Sequence, residues 1–238
     1  MRPPAPVLRA FGVAGGPVTP LEGGQGTSWR AGDLVLKPEP PPGDWLRDVV
    51  PAGFRLARSC GAHGGWSATR WLEGAETSDF VAVIEAGRAF HRAVAHLPRQ
   101  PSWAARTDRW AVADRIAWGE RPPRWLPAFA PIAARLTAAL EPLGASQIVH
   151  CDLTRNVLVA DGLPPAIIDV SPYWRPPSYA EGVVVADALA WHDAPGTLLR
   201  DAGVSVPAVA RALLFRMATD TVDDWAWRYE HACRQLTL

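Results

Sequence analysis

Residues 147–174 read QIVHCDLTRNVLVADGLPPAIIDVSPYW. Within them, His150-Cys151-Asp152-Leu153-Thr154-Arg155-Asn156 has the form H-x-D-x-x-x-N, and Asp169 follows Asn156 by thirteen residues, after an apolar run. Ile148-Val149, Asn156 to Val159 and Ala166 to Ile168 read as short strands, with Asp161-Gly162 as a turn between the last two. A hairpin from 156 to 169 sets Asn156 and Asp169 side by side. That residue set suits transfer of the γ-phosphoryl group of ATP. Asp152 is expected to accept or orient the proton of an attacking hydroxyl, while Asn156 and Asp169 hold magnesium against the phosphates. Magnesium favours such a mixture of few protein oxygens with phosphate oxygens and water. His150 is expected to orient the loop by hydrogen bonds rather than to carry a proton.

Working outward from this segment, the upstream chain changes character near residue 73. Residues 12–37 read as strands joined by turns, among them the glycine-rich Gly23-Gly24-Gln25-Gly26-Thr27-Ser28. Leu34-Val35-Leu36-Lys37 is a short apolar strand ending at the sole lysine of a chain that has 23 arginines. A single lysine points to a place that wants a compact ammonium in preference to a planar guanidinium. Pro38 to Gly43 is a break, Asp44 to Val50 a short helix, and 54–58 and 66–72 two more strands. Glu73-Gly74 is the candidate hinge. Beyond it Phe80, Val83, Ile84, Gly87, Phe90, Val94 and Leu97 recur at helical spacing, with Ser78 as N-cap and Pro98 as the stop. Further helices are predicted near 108–118, 128–141, 179–193, 206–218 and 220–236. The chain is therefore read as α+β, with a small, mainly β part at 1–73 and a larger, mainly α part at 74–238.

Composition narrows the partners. Formal net charge is zero, from 24 basic and 24 acidic residues, so nothing global favours nucleic acid or an anionic membrane. No apolar run reaches the roughly 18 residues that span a bilayer. The amino-terminal stretch has no signal-like apolar core, and a cytoplasmic location is expected. Three widely spaced cysteines suit neither a disulfide framework nor a zinc site. Cys151 lies inside the motif, and a thiol nucleophile there is an alternative chemistry. Most of the twelve tryptophans are read as packing residues. Asp223, Asp224 and Glu230 are read as a solvated helix face.

The segment 147–174 resembles the catalytic core of aminoglycoside phosphotransferase-like kinases. These are small-molecule relatives of the protein kinases, whose loop reads H-G-D-x-x-x-x-N and whose metal aspartate sits in I-D-F or I-D-W. WLEG, DRIAWGE and SPYWRP resemble an actinobacterial group of that superfamily. The spacing from Asp152 to Asn156 is one residue tighter than the family form, and Val170 stands where an aromatic is usual. The resemblance implies a two-lobed protein-kinase-like fold with ATP and magnesium between the lobes. Lys37 would meet the nucleotide phosphates, under a turn built from Gly23, Gly24, Gly26 and Thr27. Asp48, with Asp44 as competitor, would take the place of the helix glutamate that pairs with the lysine. Asp187 would support the loop by accepting from its backbone amides. Arg155, bulky beside Asp152, would either contact phosphate or narrow the site, and Ser171 to Pro177 would either line an acceptor pocket or form a rigid loop. The implied acceptor is the hydroxyl of a small molecule such as an amino sugar, an aminoglycoside-like compound or a related metabolite. The alternative is a pseudokinase that binds nucleotide or a partner without turnover.

Overall fold

The computed structural model describes residues 1–22, 26–38 and 44–238. A short helix, α1 (Ala5–Ala10), leads into β1 (Val18–Pro20), β2 (Trp29–Ala31) and β3 (Leu34–Lys37). A single 3-10 turn at Asp44–Asp48 precedes β4 (Arg55–Leu56), β5 (Ser59–His63), β6 (Trp66–Arg70) and β7 (Ala75–Glu76). Three helices follow, α2 (Phe80–Val94), α3 (Arg109–Ala117) and α4 (Ala130–Ala138). Then come β8 (Gln147–His150), β9 (Val157–Ala160), β10 (Leu163–Ile167) and β11 (Pro172–Arg175). The chain ends in α5 (Pro177–Trp191), α6 (Leu198–Ala202), α7 (Val206–Met217) and α8 (Ala226–Gln235). The fold is α+β, with sheet concentrated toward the amino terminus and helices toward the carboxyl terminus.

The first sheet has the order β1-β2-β3-β6-β5 and is antiparallel throughout. Alternation along β3 buries Leu34 and Leu36 and leaves Lys37 half-buried at the strand end. Leu34 and Leu36 join Ala31, Trp66, Ala68 and Val7 in a small core of their own. Val7 comes from α1, in a stretch to which the sequence reading assigned no element. Proline in the first turn of a helix forfeits no hydrogen bond and is tolerated there. Gly64-Gly65 joins β5 to β6 with φ of +57° and +79°, a tight hairpin geometry that glycine adopts without strain.

A second sheet, ordered β4-β10-β9-β7, carries the site. β10 runs antiparallel to β9 and parallel to β4. The expected boundary at 73/74 falls between β4 and β7, two strands of this one sheet, so the sheet ties the two regions together. β11 pairs antiparallel with β8, placing Pro172 opposite His150.

The main core is built around α5, which packs on α7, α2 and α8. Its run Val183-Val184-Val185-Ala186 is buried on every side, as expected of a helix enclosed by others. Asp187 is the one charged residue in that buried stretch. The N-cap of α2 is Asp79, not Ser78. The Asp79 carboxylate accepts from Ala82 N–H at 3.0 Å, a charge-assisted cap that a serine hydroxyl would make more weakly. Among the described residues no helix is long and apolar enough to cross a membrane.

Candidate active site

His150 ends β8 with its ring buried. Its Nδ1 accepts from the backbone N–H groups of Asp152 at 3.2 Å and Ser171 at 3.4 Å. The ring proton therefore sits on Nε2, which donates to the Ile168 carbonyl at 3.3 Å. Burial pushes its pKa down, although Asp152, the Ile168 carbonyl and Asp169 pull the other way. A neutral ring with both nitrogens engaged has neither lone pair nor proton left for chemistry; it staples the start of the loop to the strand that follows Asp169.

The loop then closes tightly. Asn156 Nδ2 donates to the Asp152 carbonyl at 2.7 Å, and Asn156 N–H to the Leu153 carbonyl at 2.9 Å. Arg155 adopts φ +65° to complete the turn, a conformation uncommon outside glycine. This left-handed residue lies between Asp152 and Asn156, where the chain turns back on itself. It also swings Arg155 outward, where Nε donates to Glu76 on β7 at 2.8 Å. With Asn156 Nδ2 on the Asp152 carbonyl, its Oδ1 accepts no hydrogen bond among the described residues and is left as an acceptor.

Asp169 follows β10 at φ +48° with a half-exposed carboxylate. The backbone joins it to Asn156, since Ile168 N–H donates to the Asn156 carbonyl at 3.0 Å. Lys37 arrives from the other sheet, its Nζ 2.5 Å from Asp169 Oδ1. The structure thus brings Asp152, Asn156, Asp169 and Lys37 to one place. Asp48 does not join them. It is exposed at the end of a five-residue 3-10 turn and makes no ion pair among the described residues. The predicted helix is only that turn, its Asp48 lies exposed, and Asp169 meets the ammonium. Of the glycine-rich turn, Gly26 is exposed at φ +67° and Thr27 is half-buried. Gly23 and Gly24 lie outside the described residues, as does the side chain of Asp44.

Two residues that sequence reasoning missed hold the loop from behind. Arg216, in the last turn of α7, donates from Nε and Nη2 to the two oxygens of Asp187 at 2.7 and 2.6 Å. The same Nη2 donates to Asp152 Oδ1 at 3.0 Å. Asp187 therefore accepts from a guanidinium rather than from loop amides, which His150 already serves. A buried carboxylate needs a charged partner, and α7 delivers one. His91 of α2 is the second, its Nε2 accepting from His150 N–H at 3.1 Å. Its helical spacing with Gly87 and Val94 was the available signal; Arg216, one arginine among many, offered none.

Cys151 is buried, and burial raises its thiol well above the usual range. A thiolate there is strongly disfavoured, which removes the thiol-nucleophile chemistry. Along β11, a pocket of about 120 Å³ is lined by residues that include Trp103, Arg106, Tyr173 and Trp174. Of Ser171 to Pro177, Pro172–Arg175 form the paired strand β11 and line this pocket, while Pro177 already begins α5. Arg175 fixes its far wall, donating to Asp114 at 2.6 Å and Glu120 at 2.6 Å and so tying DRIAWGE to SPYWRP.

The sequence model of the phosphotransferase enzyme family matches residues 18–170, from β1 through Asp169. The chain belongs to the phosphotransferase enzyme family. No functionally curated protein matches its sequence. Among solved structures, this phosphotransferase is similar to the choline kinase LicA from Streptococcus pneumoniae, at 12% identity and a TM-score of 0.54, with 93% of each chain covered. It is also similar to the ADP-bound aminoglycoside phosphotransferase APH(2'')-Ib, at 9% identity and a TM-score of 0.51, covering 98% of this chain and 96% of that one. A choline kinase from Cryptosporidium parvum Iowa II gives 10% identity and a TM-score of 0.51, covering 97% and 94%. At such identities the likeness is one of fold: the phosphotransferase has the kinase-like fold these enzymes share.

Proposed function

We propose that this phosphotransferase moves the γ-phosphoryl group of ATP to a hydroxyl of a small molecule. The observation that carries the reading is the meeting of Lys37 with Asp169 beside the Asp152–Asn156 loop, because it joins one cation and the loop's polar oxygens across two sheets. The residues fit magnesium and a nucleotide. One half-exposed carboxylate and one amide oxygen are few protein ligands, the kind of set that leaves magnesium its waters and phosphate oxygens. In this reading Asn156 and Asp169 hold the metal, and Lys37 holds phosphate oxygens with Gly26 and Thr27 near them. Bound magnesium supplies neutralisation of the charge on the transferring group.

Asp152 then does the work of the chain itself. Arg216 occupies Oδ1, so Oδ2 is the oxygen turned toward an incoming hydroxyl, which it orients and whose proton it accepts as transfer proceeds. His150 keeps the loop in place without exchanging protons. The acceptor pocket is assigned to the space lined by Trp103, Arg106, Tyr173 and Trp174, which begins three residues beyond Asp169. The likeness in fold to choline kinases and to an aminoglycoside phosphotransferase supports a small hydroxylated acceptor, amino sugars and amino alcohols among them. The pseudokinase alternative drew on Asp48, Val170 and the tight loop. Asp169 meets Lys37 in spite of Asp48, Val170 packs against the main core, and the tight loop still hydrogen-bonds Asn156 to Asp152.

The test is Asp152→Asn, assayed as ADP release from magnesium-ATP over a panel of amino alcohols and amino sugars. Turnover is expected to fall 10²–10⁴-fold, the range for losing a positioned general base. The rise in melting temperature caused by nucleotide should persist. A variant that turns over at the wild-type rate would show that Asp152 does not handle the acceptor hydroxyl.

A further inference from the structure

We propose that Arg216 is the positioning residue that aims Asp152, with Asp187 as its buried anchor. The inference rests on the reading of Asp152 as the group that handles the acceptor hydroxyl, and goes beyond it by naming what fixes that group's orientation.

The guanidinium is 12% exposed and its two carboxylate partners differ sharply: Asp187 is 8% exposed and Asp152 47%. One end of the triad is therefore locked in the core and the other opens to solvent. The locked end is a two-point fork, Nε to Asp187 Oδ1 at 2.7 Å and Nη2 to Asp187 Oδ2 at 2.6 Å. A two-point contact fixes the plane of the guanidinium, and the rings of Phe215 and Trp110 lie 5.3 and 5.9 Å from its central carbon. With that plane fixed, the second hydrogen on Nη2 has one direction to point, and Asp152 Oδ1 is there at 3.0 Å. Among the described residues, Asp152 Oδ2 has only Asn156 Nδ2, at 3.4 Å. Arg216 therefore decides which carboxylate oxygen is bound and which is offered. A lysine ammonium in its place would lack the planar fork and would serve the two carboxylates with different geometry.

The experiment compares wild type, Asp152→Asn, Arg216→Lys, and the double variant Arg216→Met with Asp187→Leu. Arg216→Lys keeps a cation beside Asp187. The double variant removes both members of the buried pair, an exchange that proteins tolerate better than loss of one member. Melting temperatures establish that each folds. ADP release is measured with magnesium-ATP, with water and with the acceptor panel. Both Arg216 variants are expected to lower kcat at least tenfold while KM for ATP changes less than twofold. Made in the Asp152→Asn background, either change should lower kcat less than twofold further, because Arg216 acts only through that carboxylate. If Asp152→Asn is inactive but folded Arg216 variants keep wild-type kcat, the positioning role is overturned and the reading of Asp152 stands. Equal further loss in the Asp152→Asn background would likewise overturn it, showing that Arg216 acts elsewhere. Unchanged turnover in Asp152→Asn, or no ADP release by wild type with any acceptor or water, overturns the underlying reading and the inference with it.

Discussion

His91 holds on one nitrogen a proton that no described residue accepts. Its Nε2 accepts from His150 N–H, so the proton is on Nδ1, which is buried with no hydrogen-bond partner among the described residues. Burial, with a contribution from His150, pushes its pKa down to about 3. The unfolded chain, with an ordinary value of 6.5, takes up a proton that the folded chain refuses. The stability that neutral His91 contributes is therefore complete above pH 6.5 and is lost as pH falls from 6.5 toward 3. From His91 alone the loss over that range is on the order of 4 kcal/mol, and His150, shifted the same way, adds to it. Urea unfolding midpoints at pH 7.5, 6 and 5 should fall progressively. His91→Gln, which keeps an acceptor for His150 N–H, should flatten that decline.

Helices bring these residues together only because two glycines let them approach. A side chain at Gly87 on α2 would place its Cβ 2.4 Å from Leu153 Cδ1, and Leu153 directly follows Asp152. The obstacle is the end of a flexible side chain, so Gly87→Ala should be felt at the loop more than in the core: about 1 kcal/mol of stability, with at least a tenfold loss of phosphoryl transfer. At Gly182 on α5 the Cβ would meet the Ala208 carbonyl oxygen at 2.5 Å and its carbon at 2.6 Å. Backbone cannot step aside, so α5 and α7 must separate. Gly182→Ala should cost roughly 2–3 kcal/mol, read as a lower urea midpoint with an unchanged m-value. As α7 carries Arg216 and α5 carries Asp187, activity should fall with it.

Across the whole molecule, the contact that defines the site joins the two regions. Lys37 belongs to the five-stranded sheet and Asp169 follows a strand of the four-stranded one. Nucleotide phosphates and magnesium would divide this pair, the cation going to phosphate and the carboxylate to metal. Lys37→Met is thus expected to weaken ATP binding by roughly tenfold or more, about 1.4 kcal/mol, measured by calorimetry, and to shrink the nucleotide-dependent rise in melting temperature. Lys37→Arg should not restore it, because a planar fork does not replace a compact ammonium.

The sequence by itself determined the α+β division, most helices to within a few residues, and the placement of Asp152, Asn156 and Asp169 on one loop and hairpin, because each is a matter of local periodicity, turn chemistry and short spacing. It singled out Lys37 through its rarity. It also misjudged local matters: α1 was not assigned, and Asp48 was given a helix that is only a 3-10 turn. The tertiary structure alone decided what lies behind the loop. Arg216 is 64 residues beyond Asp152 and 29 beyond Asp187, and nothing in composition marks it among its fellow arginines. It becomes distinct only when α5 and α7 pack, since burial is what makes a carboxylate such as Asp187 require a charged partner and gives that partner a fixed direction.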